Sequence, residues 1–231
     1  MSNNPLSKLS SHLTRPELAT LLNSSEAFEL FRAIDNELFV SHGEGTISIG
    51  VVSALAGEGR TSISVLLAAL AAAYSPQRKV LLLDGNLTAP SLPGILDFVA
   101  AGPGLIDYCD DGRSFAECVQ KTPLANLDIV TGGTSKWQFN KLSQPGLTRF
   151  LAEAKKHYQL IVVDTPPSGS NRDVVLMGKL LDTLLLVVRY GYATREQVQP
   201  IVAALRQEQV SILGAVMNQR IFPIPHLLYG K

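Results

Sequence analysis

Apolar positions along this chain fall into two kinds of run. Short runs with little polar alternation, TISIGVVS, KVLLLD, LDIV, QLIVVD, TLLLVV and SILGAV, read as strands buried on both faces of a parallel sheet. Between them lie longer stretches with apolar residues at helical spacing. In EAFELFRAIDNELFV, Phe28, Phe31, Ile34, Leu38 and Phe39 form such a stripe, and Ser24 or Ser25 is placed to cap it. The alternation predicts an α/β fold: a mostly parallel sheet with helices on both faces. Further helices are expected over Leu92 to Val99, from Pro145 or Gly146 through Lys156, and from an N-cap at Thr194 to Gln207. The pattern weakens from Leu105 to Ser143. That part reads as an insertion at the sheet edge, with short helical pieces through Tyr108 and around Phe115 to Val119, a strand Leu127 to Val130 and a Gly132-Gly133 turn.

The stretch from Ile47 to Tyr74 organises the rest. Its β-branched run leads into a small-residue turn, Gly57-Glu58-Gly59, and then into an alanine-rich helical run. Strand, glycine loop and helix in this order make a phosphate loop, whose backbone N–H groups and helix N-terminus face an anion. The usual spacing is a small residue, four spacers, then Gly-Lys-Ser/Thr; here it is Ala54, four spacers, Gly59-Arg60-Thr61, followed by Ser62. Arg60 keeps the charge but exchanges a compact ammonium for a planar fork. Thr61 keeps the hydroxyl that would ligate Mg²⁺. A glycine turn that merely joins a strand to a helix is the bland alternative.

Two apolar strands end in carboxylates, Asp84 and Asp164. Ligands of an open parallel sheet bind beyond the carboxyl ends of its strands, so both acids point toward the phosphate loop and toward Mg²⁺ or its water. Each strand-end acid alone is a common feature; loop and two acids together form one constellation. Asn218, just past the last strand, offers both a donor and an acceptor to an adenine edge, or serves only turn chemistry. Trp137 and Phe139 read as core anchors or contact groups.

Composition narrows the field. The chain has 231 residues, 46% of them hydrophobic, enough for one sizeable domain. Lys+Arg and Asp+Glu both total 20, which leaves no basic footprint for nucleic acid. The two cysteines, Cys109 and Cys118, lack a second pair at metal spacing and suggest a reducing compartment without a zinc site. No charged-then-apolar leader opens the sequence, and the apolar run Val65 to Tyr74 falls short of the roughly 20 residues that span a bilayer. A cytoplasmic protein is expected. Residues 1–24 read as a loosely ordered arm, 25–220 as the domain, and 221–231 as a proline-punctuated tail.

With these pieces in order, the chain resembles the bacterial tyrosine kinases that accompany capsule and exopolysaccharide export, P-loop NTPases related to the septum-positioning and partitioning ATPases. The resemblance covers about Ser25 to Asn218 and rests on the ordered series EAFELFRAIDNELF, SALAGEGRTS, KVLLLDGNLTAP, GPGLIDY, NLDIVTGG, YQLIVVDTPPSG and ILGAVMN. It implies ATP or ADP bound with Mg²⁺ at Gly57, Glu58, Gly59, Arg60, Thr61 and Ser62. It further implies metal and catalytic roles for Arg60, Thr61, Asp84 and Asp164. It also implies a membrane-embedded chain-length regulator as partner, with this chain as the separate form, and assembly of copies into a ring.

Departures from the family pattern fall on functional positions. Arg60 stands for the loop lysine, Asn86 for a second acid, and Thr88 for a basic residue. General-base help, typically worth about 10²–10⁴-fold, would be lost with that acid. Glu26, Glu29, Arg32 replaces a Glu, Arg, Arg series that the family uses between subunits, and Tyr229 is the one tyrosine left in the tail. The expectation is a nucleotide-binding regulator of polysaccharide polymerisation and export, weak or inactive as a kinase. The rival is an active autokinase with Tyr229 as acceptor.

Overall fold

A computed structural model of the chain describes residues 5–43, 45–87, 89–134, 144–166 and 171–219. Its centre is the unit the sequence marks: β1 (Ile47–Ser53), the phosphate loop, and α4 (Arg60–Tyr74). The other strands are β2 (Val80–Asp84), β3 (Gln120–Lys121), β4 (Leu127–Val130), β5 (Leu160–Asp164), β6 (Thr183–Arg189) and β7 (Ile212–Asn218). They form one sheet in the order β3-β4-β2-β5-β1-β6-β7, parallel except where β3 meets β4. The expected α/β fold is therefore the observed one.

Pleating sends alternate strand residues to opposite faces, and helices cover both. Ile49, Val51, Leu82 and Val162 pack on one side with α1 (Pro5–Ser10), α2 (Pro16–Leu22), α3 (Ser25–His42) and α4. Val52, Leu81, Leu83 and Val163 pack on the other with α5 (Leu105–Asp110), α7 (Gln144–His157), α8 (Asn171–Leu180) and α9 (Arg195–Gln207). The weaker region supplies α5, α6 (Phe115–Cys118) and β4, as its pattern predicts, and adds the two-residue edge strand β3, which has no apolar run to announce it. Only Leu92–Gly94 of the expected 92–99 helix forms, as a single 3₁₀ turn. Beyond it the chain turns to the N-terminal segment, with the Ile95 carbonyl accepting from the Thr14 N–H and the Asp97 N–H donating to the His12 carbonyl.

The N-terminal residues differ most from expectation. Instead of a loose arm, residues 5–22 form two short helices whose Leu6, Leu9, Leu18 and Leu22 are buried against α4. Burying one leucine is worth roughly 1.5–3 kcal/mol, so the four together offset part of the cost of ordering the segment. Ser24 caps α3 by accepting from the Ala27 N–H at 3.2 Å. The stripe of α3 buries Ala27, Phe31, Ile34 and Leu38, whereas Phe39, expected in the stripe, is 54% exposed. No helix among the described residues is long and apolar enough to cross a membrane.

Candidate functional site

Strand register brings the chemistry together. Asp84 pairs with Asp164 across β2 and β5, and Asp164 pairs with Val51 across β5 and β1, so both acids end beside the phosphate loop. Gly57 and Gly59 adopt φ of 81° and 91°, left-handed values that favour glycine and let the chain turn sharply into α4. A Cβ on Gly59 would also collide with the Asn218 side-chain amide. A cavity of about 380 Å³ opens here, lined on the loop side by Gly57, Gly59, Arg60, Thr61 and Ser62. Free N–H groups at the start of a fifteen-residue helix make it a natural anion site.

The loop is held from behind by Glu58, which is fully buried. One carboxylate oxygen accepts from the Leu55 N–H at 2.6 Å and the other from the Arg189 N–H at 3.1 Å. Asn218 Nδ2 donates to the Glu58 carbonyl at 2.8 Å, and its Oδ1 accepts from the Gln219 N–H at 2.9 Å. Both ends of the Asn218 amide are thus engaged within the loop and its own turn, where sequence reasoning left an adenine contact open.

Arg60 is turned inward. The residue is 8% exposed, and its Nη1 donates to the Thr165 carbonyl at 2.9 Å. Burial lowers its pKa, while Asp164 and Glu58 push it back up. Asp84 is similarly occupied: Oδ1 accepts from the Asn86 N–H at 3.1 Å, and Oδ2 from the Ser91 and Leu92 N–H groups at 2.8 and 3.1 Å. Burial raises its pKa against the effect of those three donors. Asn86, which replaces an acid, donates Nδ2 to the Ala89 carbonyl at 2.7 Å and to Ser91 Oγ at 3.2 Å. A carboxylate could make neither bond as donor.

Asp164 is the most unbalanced group. It is 1% exposed, and Oδ1 receives Ser64 Oγ at 3.3 Å while Oδ2 has no hydrogen-bond partner. Burial is the main force raising its pKa to about 7; neighbouring Asp84 raises it further, and Thr61, Arg60 and Ser64 oppose the rise. A buried carboxylate oxygen beside a threonine hydroxyl, at the mouth of an anion site, suits Mg²⁺. That ion takes one or two carboxylates and completes its shell with phosphates and water. Among the described residues no group of three or more His, Cys, Asp or Glu gathers as a denser metal cluster.

With the loop, its inward arginine and the paired acids in one place, the kinship of the chain can be weighed. No protein-family model matches it. It is 30% identical over 205 residues to the tyrosine-protein kinase etk of Escherichia coli (strain K12), across 88% of this chain. It is 28% identical over 210 residues to the tyrosine-protein kinase YwqD of Bacillus subtilis (strain 168), across 90% of this chain and 87% of YwqD. The solved kinase domain of Escherichia coli ETK superposes with a TM-score of 0.69 at 26% identity, covering 88% of this chain and 80% of that domain. The chain is a homologue of the bacterial tyrosine kinases. It spans only 28% of the length of etk. The septum site-determining protein MinD of Pyrococcus horikoshii, solved with Mg-ADP, shares the fold at a TM-score of 0.60, 24% identity, and coverage of 74% of this chain and 70% of that one.

Measured against the pattern implied for these kinases, the phosphate loop, Thr61 and Asp164 stand in one site. Arg60 and Asn86 are committed to structural bonds instead. Tyr229, Thr88, Trp137 and Phe139 lie outside the described residues. Sequence reasoning missed Ser64, Ser91 and the bracing role of Glu58. Ser64 follows Arg60 by one helical turn, and that spacing was the available signal.

Proposed function

We propose that this chain is a nucleotide-binding regulator of capsule or exopolysaccharide polymerisation and export, descended from the tyrosine kinases and weak or inactive in phosphoryl transfer. The observation that carries this reading is the inward Arg60. Its Nη1 is bonded to the Thr165 carbonyl, so the loop presents a phosphate with backbone N–H groups and Thr61 but without the cation that a lysine supplies there. Asn86 reinforces the point, because the side chain in the acid's place is a donor fixed to Ala89 and Ser91. ATP or ADP would sit on Gly57 to Ser62, with Mg²⁺ on Thr61 and Asp164 and the carboxylate of Asp84 behind them. Mg²⁺ there would neutralise the phosphates and the otherwise unpaired Asp164 oxygen.

The partner on this reading is the cytoplasmic segment of a membrane-embedded chain-length regulator, which recruits the chain to the inner face of the membrane. Copies of the chain can also associate. The second reading, an active autokinase acting on Tyr229, draws support from the intact Thr61 and Asp164 and from the activity in the relatives' names. Titration of the purified chain with ATP and ADP by calorimetry, with and without Mg²⁺, tests the shared premise. Mg²⁺-dependent binding that is lost in Gly59→Val is expected. An absence of heat from both nucleotides, or an unchanged affinity in Gly59→Val, would refute the site.

A further inference from the structure

Across the cavity from the phosphate loop stands the N-terminal segment, and it is fastened there. His12 Nδ1 lies 2.8 Å from Asp97 Oδ1, and the Asp97 N–H donates to the His12 carbonyl at 3.0 Å. Thr14 donates its N–H to the Ile95 carbonyl at 2.9 Å and its hydroxyl to the Gly94 carbonyl at 2.8 Å. Leu13 forms an isolated antiparallel bridge with Leu96. Arg15 follows directly, in the extended conformation that a residue before proline prefers, with Pro16 opening α2. The buried leucines of α1 and α2 anchor the segment from the other side.

Arg15 therefore has a fixed backbone and lines the same 380 Å³ cavity as Gly59, Thr61 and Ser62. Its side chain is exposed, and no carboxylate among the described residues pairs with it. Among the described residues, Arg60 and Arg15 are the two cations that line the cavity, and no acid lines it. Since Arg60 is bonded to Thr165, Arg15 is the one of these two that is left to face a ligand. A guanidinium opposite a helix N-terminus suits a phosphate, which it can grip with two parallel charge-assisted hydrogen bonds.

We propose that Arg15 is a phosphate-contacting residue of the nucleotide site, supplying from the N-terminal segment the charge that the loop's own arginine does not. The inference rests on the nucleotide reading given above and extends it. It makes residues 12–16 one wall of the site and ties nucleotide occupancy to the packing of α1 and α2.

The test is calorimetric titration of the full chain with Mg-ATP at several salt concentrations, comparing wild type, Arg15→Ala and Arg15→Lys, with thermal melts of each free protein. The expected result is a roughly tenfold to hundredfold weaker affinity in Arg15→Ala, the scale of one lost charged hydrogen bond. A flatter salt dependence should accompany it, with part of that dependence kept in Arg15→Lys and an unchanged melt without nucleotide. A purely structural role would lower the melt and leave the salt dependence as it was, which would overturn the proposal. Wild-type binding matched within twofold by Arg15→Ala would overturn it too, while leaving the nucleotide site in place. Failure of the wild type to bind would bring down both.

Discussion

At the scale of single residues, the site is defined by what each polar group is already doing. Glu58, Arg60 and Asp84 look like ligand-facing groups in the sequence, yet each is hydrogen-bonded to backbone. Asp164 is the exception, with one buried oxygen left unpaired. Its pKa, raised mainly by burial to about 7, makes a pH prediction. Between the ordinary carboxylate range near pH 4 and pH 7 the folded chain holds a proton that the unfolded chain has released. Stability from this group is thus fully present at low pH and is lost as pH rises through 7. Denaturant melts from pH 4.5 to 8 should show wild-type stability falling relative to Asp164→Asn, which removes the titration. Parallel pH profiles for the two proteins would show that Asp164 is ionised throughout. That both strand-end acids sit side by side was legible from their positions after apolar strands. Which of them keeps a free oxygen was not, because that depends on N–H groups several residues further along the chain.

At the scale of elements, the strand, loop and helix from Ile47 to Tyr74 form as their sequence pattern requires, and so do the other strands except the two-residue β3. Continuous apolar runs leave little choice in a sheet covered on both faces. The N-terminal helices were missed because Pro5, Pro16 and the surrounding Ser and Asn residues read as loop. The leucine spacing Leu6 to Leu9 and Leu18 to Leu22 was the signal for them. The segment after β2 is a second case. Asp84 gathers the N–H groups of Asn86, Ser91 and Leu92, and Asn86 closes the same turn from within. Restoring an acid there by Asn86→Asp would set a carboxylate against the Ala89 carbonyl and leave that acceptor with only the longer bond from the Ser91 hydroxyl at 3.2 Å. A loss of about 1–3 kcal/mol is expected, read as a lower melting temperature. Equal or greater stability in Asn86→Asp would show that the amide is not the staple it is taken to be.

At the scale of the whole molecule, the sheet order places β1 between β5 and β6 and sends the chain from β1 past β5 to β2, opening a crevice at the carboxyl ends. The phosphate loop, Asp164 and the fastened N-terminal segment all converge there. The scaffold of a tyrosine kinase relative is intact, while Arg60 and Asn86, the two departures from the resembled pattern, are hydrogen-bonded within the fold. The central claim is accordingly occupancy without efficient transfer. It is tested most directly by incubating the purified chain with saturating Mg-ATP and measuring phosphotyrosine by antibody and mass spectrometry, alone and with a cytoplasmic segment of the proposed membrane partner. The account predicts nucleotide bound and no phosphotyrosine above background. Phosphotyrosine that forms under these conditions and disappears in Asp164→Ala and in Tyr229→Phe would contradict it.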